Sequence, residues 1–540
     1  MSPSSAESGR NKVRAARAWS AVVAAHAGFR QRHPPGPRRS VVGFVVDDGG
    51  FADDGAGAGA TGRPPDADRS VGAHRPGLPG VRGAGAPRRL PARGRDAMTQ
   101  PIDLPWGGGT LTVPLPDRWR VLGRLEPRAP AAATDPAAAC AEALREPVGA
   151  RRLAERSLAG RRVVIVCDDH SRPTPVAAFL PAVLAELRSA GAADGDVEFL
   201  IATGVHREST ADEVERKLGR DVAARFRWRC HDAKDAAGLA DLGTTSRGTR
   251  VRLNRRLAEA DLILCLGAVE PHLLLGFGGG LKMLLPGCAG TETIARNHLQ
   301  GVEPEHFDFV GEDAERSPMR LDLEEAAGLL RKPVFLVNAT MNAQARPTRF
   351  FCGDPIQAHR RATAFVAEWA GFDVPEQADV VLANSDPMNA DLRQSIKCVG
   401  NSLYACKPGG VLMGCVYCEH GLGEIFVPRR SLPYTLLRTL VRAVGPRRIL
   451  GLVERVKRGE PVEEVFVGHF ALQMLRRNHH GVFSERLDPA LDRKMGMARI
   501  FGKLDEFVAW AAARAPRNAT VWVFPHGGVT YARPPGSAAI

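Results

Sequence analysis

The sequence predicts an α/β fold of two Rossmann-like domains that face each other across a cleft and follow a disordered N-terminal extension. From residue 98 onward, strand-like apolar runs alternate with amphipathic helical stretches, which is typical of largely parallel sheets. The alternation starts again near residue 378, which indicates a second domain. We therefore predict an extension over residues 1–97, a first domain over 98–370 and a second domain over 371–540.

The extension is set apart by its composition. Residues 1–97 contain 16 Lys and Arg, 8 Asp and Glu, 16 Gly and 10 Pro residues. Such a segment has too little apolar surface to offset its ordering entropy, so we expect disorder. It carries +8 of the chain's net charge of +13, so the basic excess does not lie on the folded part and no nucleic-acid partner is expected. Met98 opens a segment of different character, and the residues before it could be a non-native extension.

The apolar patterns place the elements of both domains in chain order. In the first domain they predict strands over 161–169, 197–204 and 260–272, and helices over 174–191, 210–219 and 354–372. In the second domain they predict strands over 378–386, 409–418 and 517–528, and a helix over 391–407.

The cysteines and the absence of long apolar runs bear on compartment. No run of 18 uncharged apolar residues and no convincing signal peptide is present, so we expect a cytoplasmic protein with no membrane contact. Ten cysteines without regular spacing favour reduced thiols. Cys415 and Cys418 form a C-x-x-C motif, but without a second pair we interpret them as structural rather than zinc ligands.

Polar clusters follow three strands of the first domain, at residues 168–172, 203–207 and 270–272. Ligands of parallel sheets bind beyond the carboxyl ends of the strands, so these loops are expected to converge on one site. They bring together the candidate residues Asp169, Arg172, His206 and His272.

The segment 270–298 carries two further candidates, Lys282 and His298, on either side of the sequence LLPG. A glycine run, GFGGG at 276–280, lets the backbone approach a ligand closely and can present N–H groups to a phosphate. Taken alone, a glycine run is as readily a tight turn, and a lone histidine is more often structural than catalytic. The combination of all the clusters is what indicates a site.

These motifs together resemble the nickel-dependent lactate racemase family. The resemblance rests on the sequences DDHSRPTP, ATGVHREST, EPHLLLGFGGGLKMLLPGCAG, NH at 297–298 and RQSIK at 393–397, and on MTQPIDLPWGGGTLTVPLP, which is similar to the family's N-terminus. It covers residues 98–530 and is far more specific than any single motif.

The resemblance implies a cofactor and a set of site residues. The cofactor is a nickel-pincer nucleotide (pyridinium-3-thioamide-5-thiocarboxylic acid mononucleotide) attached covalently at Lys282, with His298 as the nickel ligand. The implied catalytic residues are His206, His272, Arg172 and Lys397, and the implied cofactor-binding residues are Lys282, Asp169 and Gln394, to which the glycine run adds Gly279 and Gly280. How roles divide among Asp169, Arg172, Gln394 and Lys397 stays open.

The implied function is racemisation or epimerisation of a 2-hydroxy acid, lactate or a related acid, by reversible hydride transfer to the nickel-pincer nucleotide. The first domain would bind the cofactor and carry out catalysis, and the second would close the cleft. Expected partners are the small-molecule substrate and cofactor-synthesis proteins. The leucines at 273–275 suggest a bulkier substrate, with core packing as the alternative. A non-catalytic carrier or sensor of the nucleotide is the alternative function, which the histidine pair His206 and His272 argues against.

Overall fold

The computed structural model describes residues 101–533, apart from 129, 302–306, 424, 426, 428–431, 447, 450–461 and 497 and the side chains of 462–467. The predicted extension over 1–97 lies outside the described residues.

Twenty strands lie in this part of the chain. They are β1 (Ile102–Trp106), β2 (Gly109–Val113), β3 (Arg120–Arg124), β4 (Val163–Asp168), β5 (Val197–Ala202), β6 (Arg227–Cys230), β7 (Leu239–Thr244), β8 (Arg250–Asn254), β9 (Leu262–Val269), β10 (Pro271–His272), β11 (Gly276–Phe277), β12 (Val334–Met341), β13 (Pro347–Gly353), β14 (Gly371–Phe372), β15 (Ala378–Asn384), β16 (Cys406–Cys415), β17 (His479–Phe483), β18 (Arg499–Phe501), β19 (Thr520–Phe524) and β20 (Tyr531–Ala532).

Fourteen α-helices are described. They are α1 (Pro136–Arg145), α2 (Val176–Ser189), α3 (Ala211–Leu218), α4 (Arg220–Arg225), α5 (Arg255–Glu259), α6 (Thr291–Gln300), α7 (Pro318–Gly328), α8 (Gln357–Ala370), α9 (Leu392–Ser395), α10 (Lys397–Asn401), α11 (Tyr434–Val444), α12 (Val462–Arg477), α13 (Leu491–Met495) and α14 (Leu504–Ala512). Single 3-10 turns lie at Leu153–Glu155, Asp194–Asp196, Ala236–Gly238, Gly280–Met283, Ala314–Arg316 and Leu403–Ala405. None of these described helices is long and apolar enough to cross a membrane.

The first six-stranded sheet has the order β13-β12-β9-β4-β5-β6, and β13 is its antiparallel edge. Apolar side chains of β4 alternate between two cores, with Val163 and Ile165 on one face and Val164 and Val166 on the other. This burial on both faces is why the strands read as continuous apolar runs. The predicted strands of the first domain correspond to β4, β5 and β9, and its predicted helices to α2, α3 and α8.

The second six-stranded sheet has the order β18-β17-β16-β15-β19-β3 and is parallel throughout. Its predicted strands correspond to β15, β16 and β19. Strand β3 comes from the beginning of the described chain, and the hairpin β1–β2 packs into the same core. The α/β class with parallel sheets is thus confirmed. All described residues fall in one compact unit, and the predicted domains, their cleft and their boundary at residue 370 stay predictions.

One predicted helix is wrong in detail. Residues 391–407 form two short helices, α9 and α10, and a 3-10 turn rather than one continuous helix. The reason is tertiary packing, because the Asn401 side chain donates to the Gly527 carbonyl at 2.8 Å and Leu273 packs directly on Gly400. These contacts override the local helical pattern.

Candidate active site

Polar side chains from distant parts of the chain meet at the carboxyl edge of the first sheet. Asp169 follows β4 directly, His206 lies in the turn after β5, and Glu270 follows β9 directly. These three strands are parallel neighbours, so their carboxyl ends share one edge. The loops converge as the sheet topology predicts, since Asp169 bonds to His206 and Arg172 bonds to Glu270.

Asp169 and His206 form a tight carboxylate–imidazole pair. The Oδ2 atom of Asp169 lies 2.7 Å from Nδ1 of His206, and its Oδ1 accepts from the backbone N–H and the hydroxyl of Ser171 at 3.1 and 2.6 Å. Burial raises the pKa of Asp169, but the bonds from His206 and Ser171 outweigh burial and hold that pKa well below its usual range. In the neutral form of His206, the ionised carboxylate keeps the ring proton on Nδ1 and leaves the lone pair on Nε2, the arrangement of a general base.

A second group joins the two sheets around Glu270. Arg172 Nη1 lies 3.3 Å from Glu270 Oε1 and 3.1 Å from Oε1 of Gln394 on α9. Lys397 Nζ on α10 lies 3.7 Å from Glu270 Oε1, an ion pair longer than a hydrogen bond, and Nζ has no hydrogen-bond partner among the described residues. Burial and the charge of Arg172 lower the pKa of Lys397 to about 8, whereas the charge of Glu270 raises it. Two cations thus share one carboxylate, which leaves the group able to accept a further anion.

Glu270 lies in the strand-end cluster 270–272, but the sequence did not single it out as a candidate site residue. Burial raises its pKa, but the nearby charges of Lys397 and Arg172 outweigh burial, and the net shift is downward. It therefore stays ionised and holds both cations in place. The available signal was its position directly after a buried strand, but its partner Lys397 lies far along the sequence and no local pattern links the two.

His272 and Lys282 are partly accessible and share one cationic environment. Burial and the charges of Lys282 and Lys397 lower the pKa of His272 well below its usual value, so this ring is neutral at pH 7. Its Nδ1 accepts from the backbone N–H of Leu274 at 3.3 Å, which places the ring proton on Nε2. Burial, Arg172 and Lys397 likewise lower the pKa of Lys282 well below its usual value, which increases the share of the deprotonated, nucleophilic amine at a given pH.

His298 is held in one tautomer by its own helix. Its Nδ1 donates to the carbonyl of Ile294, one turn back on α6, at 2.8 Å. The lone pair of the neutral ring is therefore on Nε2, and burial lowers the pKa of His298 to about 4. A neutral imidazole whose other nitrogen is fixed by a carbonyl is a typical metal ligand. No group of three or more His, Cys, Asp or Glu side chains that could hold a metal occurs among the described residues.

The glycines of the predicted cofactor loop have internal packing reasons of their own. A Cβ on Gly279 would lie 2.7 Å from the Ala268 carbonyl oxygen, and one on Gly280 would lie 2.7 Å from Cδ2 of His359. Both have positive φ, at +74° and +63°. The Gly280 N–H already donates to Oδ1 of Asn338 at 2.8 Å. Contact of Gly279 and Gly280 with a cofactor stays a prediction.

The leucines at 273–275 give no evidence for a bulky substrate. Leu274 and Leu275 are 3% and 1% exposed within the core of the first sheet, and Leu273 packs on Gly400. All ten cysteines are free thiols and nine are buried, including Cys415 and Cys418, in keeping with a structural role.

A second carboxylate–imidazole pair lies at the carboxyl edge of the second sheet. His526 follows β19 and Asp386 follows β15, and Nδ1 of His526 lies 2.7 Å from Oδ2 of Asp386. Each side chain is 21% exposed. Its Nδ1–Oδ2 distance equals that of Asp169 and His206, although its carboxylate is more exposed, so it is an internal reference for the hydrogen bond of that pair.

Replacing Glu270 by Gln should increase the reactivity of Lys282 near neutral pH. Glu270 raises the pKa of Lys282, so its removal leaves burial and the neighbouring cations to lower that pKa further. Pulse labelling of the full chain with acetic anhydride across pH, read from the Lys282 peptide by mass spectrometry, measures this. In the parent chain the pH at which labelling of Lys282 is half-maximal should lie well below 10.5, and this pH should be lower still in Glu270→Gln. Glu376→Gln, at a carboxylate 60% exposed beside Arg120, should leave it unchanged.

Comparison with known proteins places the chain beside lactate racemases. A family model described as the lactate racemase N-terminal domain matches residues 106–307. The chain is 31% identical over 326 residues to the lactate racemase of Thermoanaerobacterium thermosaccharolyticum, covering 60% of this chain and 75% of the relative. It is 27% identical over 437 residues to the lactate racemase of Lactiplantibacillus plantarum, covering 79% of this chain and 98% of the relative.

Solved structures agree with the sequence matches. The lactate racemase apoprotein from Thermoanaerobacterium thermosaccharolyticum superposes with a TM-score of 0.68 at 26% identity, covering 81% of this chain and 100% of that chain. A protein from Thermotoga maritima has a TM-score of 0.52 at 16% identity, over 74% of this chain and 97% of that chain, which is a likeness of fold.

Proposed function

Since the chain belongs to the lactate racemase family, we propose that it interconverts the enantiomers of lactate, or of a closely related 2-hydroxy acid, with a nickel-pincer nucleotide bound at Lys282. The chain is an isomerase of the racemase class, as its relatives indicate. The substrate, the cofactor and the roles of the site residues below are parts of the proposal.

The site residues fit such a cofactor. A partly accessible lysine whose pKa is lowered well below its usual value suits covalent attachment to an acyl group. His298, with Nδ1 engaged by the Ile294 carbonyl, suits a nickel ligand at Nε2. A metal that brings most of its ligands with the nucleotide needs few from the protein, in keeping with the lack of a three-residue metal cluster among the described residues. When bound, the cofactor would supply reversible acceptance of the hydride on the α-carbon.

Arg172 and Lys397 would bind the substrate carboxylate. Glu270 neutralises one of these two charges, so a monoanion makes the group neutral. Lys397 has a hydrogen-bonding valence left for the ligand, since no described side chain fills it. Gln394 fixes Arg172 from the second sheet, so the carboxylate would be held between elements of both sheets.

His206 would take the hydroxyl proton on Nε2, and Asp169 would stabilise the imidazolium that forms. His272 would serve the other face of the substrate. In the tautomer that Leu274 fixes, its Nε2–H can donate to the substrate oxygen. For His272 to accept a proton there instead, its Nδ1 must give up the bond from the Leu274 N–H.

The observation that carries the proposal is the grouping of the Asp169–His206 pair with the Arg172–Glu270–Lys397 cluster and Lys282 at one sheet edge. It is tested with the full chain made with and without cofactor-synthesis proteins. We expect a mass increase on the Lys282 peptide, about one nickel per chain as the single-histidine site implies, and interconversion of L- and D-lactate by the loaded protein only. An unmodified Lys282 without nickel, under conditions that load a known lactate racemase, would refute the cofactor. A loaded protein that turns over no 2-hydroxy acid would instead favour a nucleotide carrier or sensor.

A further inference from the structure

Lys217 occupies a buried position beneath the loop that carries Asp169 and Arg172. Its Nζ donates to Oδ1 of Asp168 at 2.7 Å, to the Arg172 carbonyl at 2.9 Å and to the Thr174 carbonyl at 3.2 Å. The hydroxyl of Thr174 donates to the other oxygen of Asp168 at 2.6 Å. Lys217, Asp168 and Thr174 are 8%, 4% and 3% exposed. All three ammonium protons and both carboxylate oxygens are thereby used.

This network determines the course of the loop. Asp168 ends β4 and Asp169 follows it, and successive residues of a strand point to opposite sides. Asp168 turns inward to Lys217, while Asp169 turns to His206. The two carbonyls that accept from Lys217 belong to Arg172 and Thr174. Together with the carboxylate of Asp168 they fix the segment from the end of β4 to helix α2 at three points.

We propose that Lys217 is a positioning residue, which acts through Asp168 and the 168–175 loop to hold Asp169 against His206 and to aim Arg172 at its ligand. The catalytic role of the Asp169–His206 pair rests on the proposed function, but the effect of Lys217 on the geometry of that pair can be measured without turnover. Helix α3, which carries Lys217, also follows the turn of His206, so both members of the base pair are tied to one helix.

The test is Lys217→Met in the full chain, which keeps the length of the side chain and removes its charge. A hydrogen-bonded Nδ1 proton of a buried histidine–carboxylate pair gives a far-downfield proton resonance. We expect two such signals in the parent chain, from His206 and from His526, each assigned by its loss in the corresponding His→Gln variant. Lys217→Met should remove or shift the His206 signal and leave the His526 signal in place. In the loaded enzyme kcat for lactate should fall about 10- to 100-fold, part of the usual worth of an acid–base group.

Arg152→Met is the matched control, because it breaks another part-buried ion pair, Arg152 with Glu186 on α2, away from the loop. Arg152→Met should lower the free energy of unfolding, as the loss of a part-buried ion pair does, and leave both resonances and kcat unchanged. Thr174→Val, which removes only the hydroxyl bond to Asp168, should shift the His206 signal in the same direction by less, and it replaces Lys217→Met if that variant does not fold.

An unchanged His206 resonance in Lys217→Met overturns the proposal, as does an equal loss of kcat in Arg152→Met. If the loaded parent chain does not racemise lactate, the proposed function fails, whereas the resonances still decide the positioning role.

Discussion

Lys282→Arg is expected to abolish lactate racemisation, with a loss of about 10⁶-fold or more, because without its cofactor an enzyme keeps little of its rate enhancement. Arginine keeps much of the length of the side chain, but its guanidinium stays protonated at every working pH and cannot serve as the attacking amine. The surroundings of Lys282, by contrast, lower the pKa of its amine through burial and through Arg172 and Lys397. The prediction therefore depends on the nucleophilic amine rather than on charge.

The measurement is chiral analysis of lactate together with intact mass and nickel content, on protein made beside cofactor-synthesis proteins. Lys282→Arg should fold, show no mass increase and retain no nickel above background. Lys503→Arg, at a side chain 73% exposed, should load and turn over as the parent does. A loaded and active Lys282→Arg protein would contradict the assignment of Lys282.

Asp169→Asn is expected to lower kcat by about 10²- to 10⁴-fold, the range for loss of an oriented acid–base group. Both oxygens of Asp169 accept, one from His206 and the other from the N–H and hydroxyl of Ser171. An amide has one oxygen, so its NH₂ group must face one of these donors. Either the tautomer of His206 changes or the Ser171 bonds are lost, and in both cases Nε2 is no longer a positioned base.

Steady-state kinetics with the loaded enzyme tests this, with kcat expressed per bound nickel so that a loss of the base is distinguished from a loss of the cofactor. Asp386→Asn is the matched control, since it makes the same change in a pair of the same length at the second sheet. It should leave kcat close to that of the parent. Equal losses in both variants, or full kcat in Asp169→Asn, would remove Asp169 from the proposed catalytic group.

The sequence supports the parallel sheet and its strand-end loops, because both depend on local patterns. Buried apolar runs predicted β4, β5 and β9, and the rule that parallel strands end at one edge predicted that Asp169 and His206 would meet. Segment 391–407 was less predictable, because its breaks are set by contacts with Leu273 and Gly527.

Residues whose role depends on burial could not be found in the same way. Lys217 stands in the helical pattern ADEVERKL, where a lysine reads as solvent-exposed, and only the folded chain shows it buried against Asp168. Glu270 is likewise predictable only as a polar residue at the end of a strand. Its ion pairs with Arg172 and Lys397 are visible only in the folded chain. Pairing between distant segments decides both cases, and a single sequence carries no record of it.

The position of β3 has a consequence for how this protein is synthesised and how it can be divided. Of the described chain, the segment β1 to β3 leaves the ribosome first. Its strand β3 pairs with β19, which is synthesised near the end, and pairing across such a separation in sequence is slow. The whole first sheet, by contrast, can close while the chain is still growing. A fragment cut at residue 370 would keep β3 without its partner and expose the apolar hairpin β1–β2. A circular permutation that opens the chain after residue 125 and places residues 101–125 after β19 would instead keep the strands of each sheet contiguous in sequence.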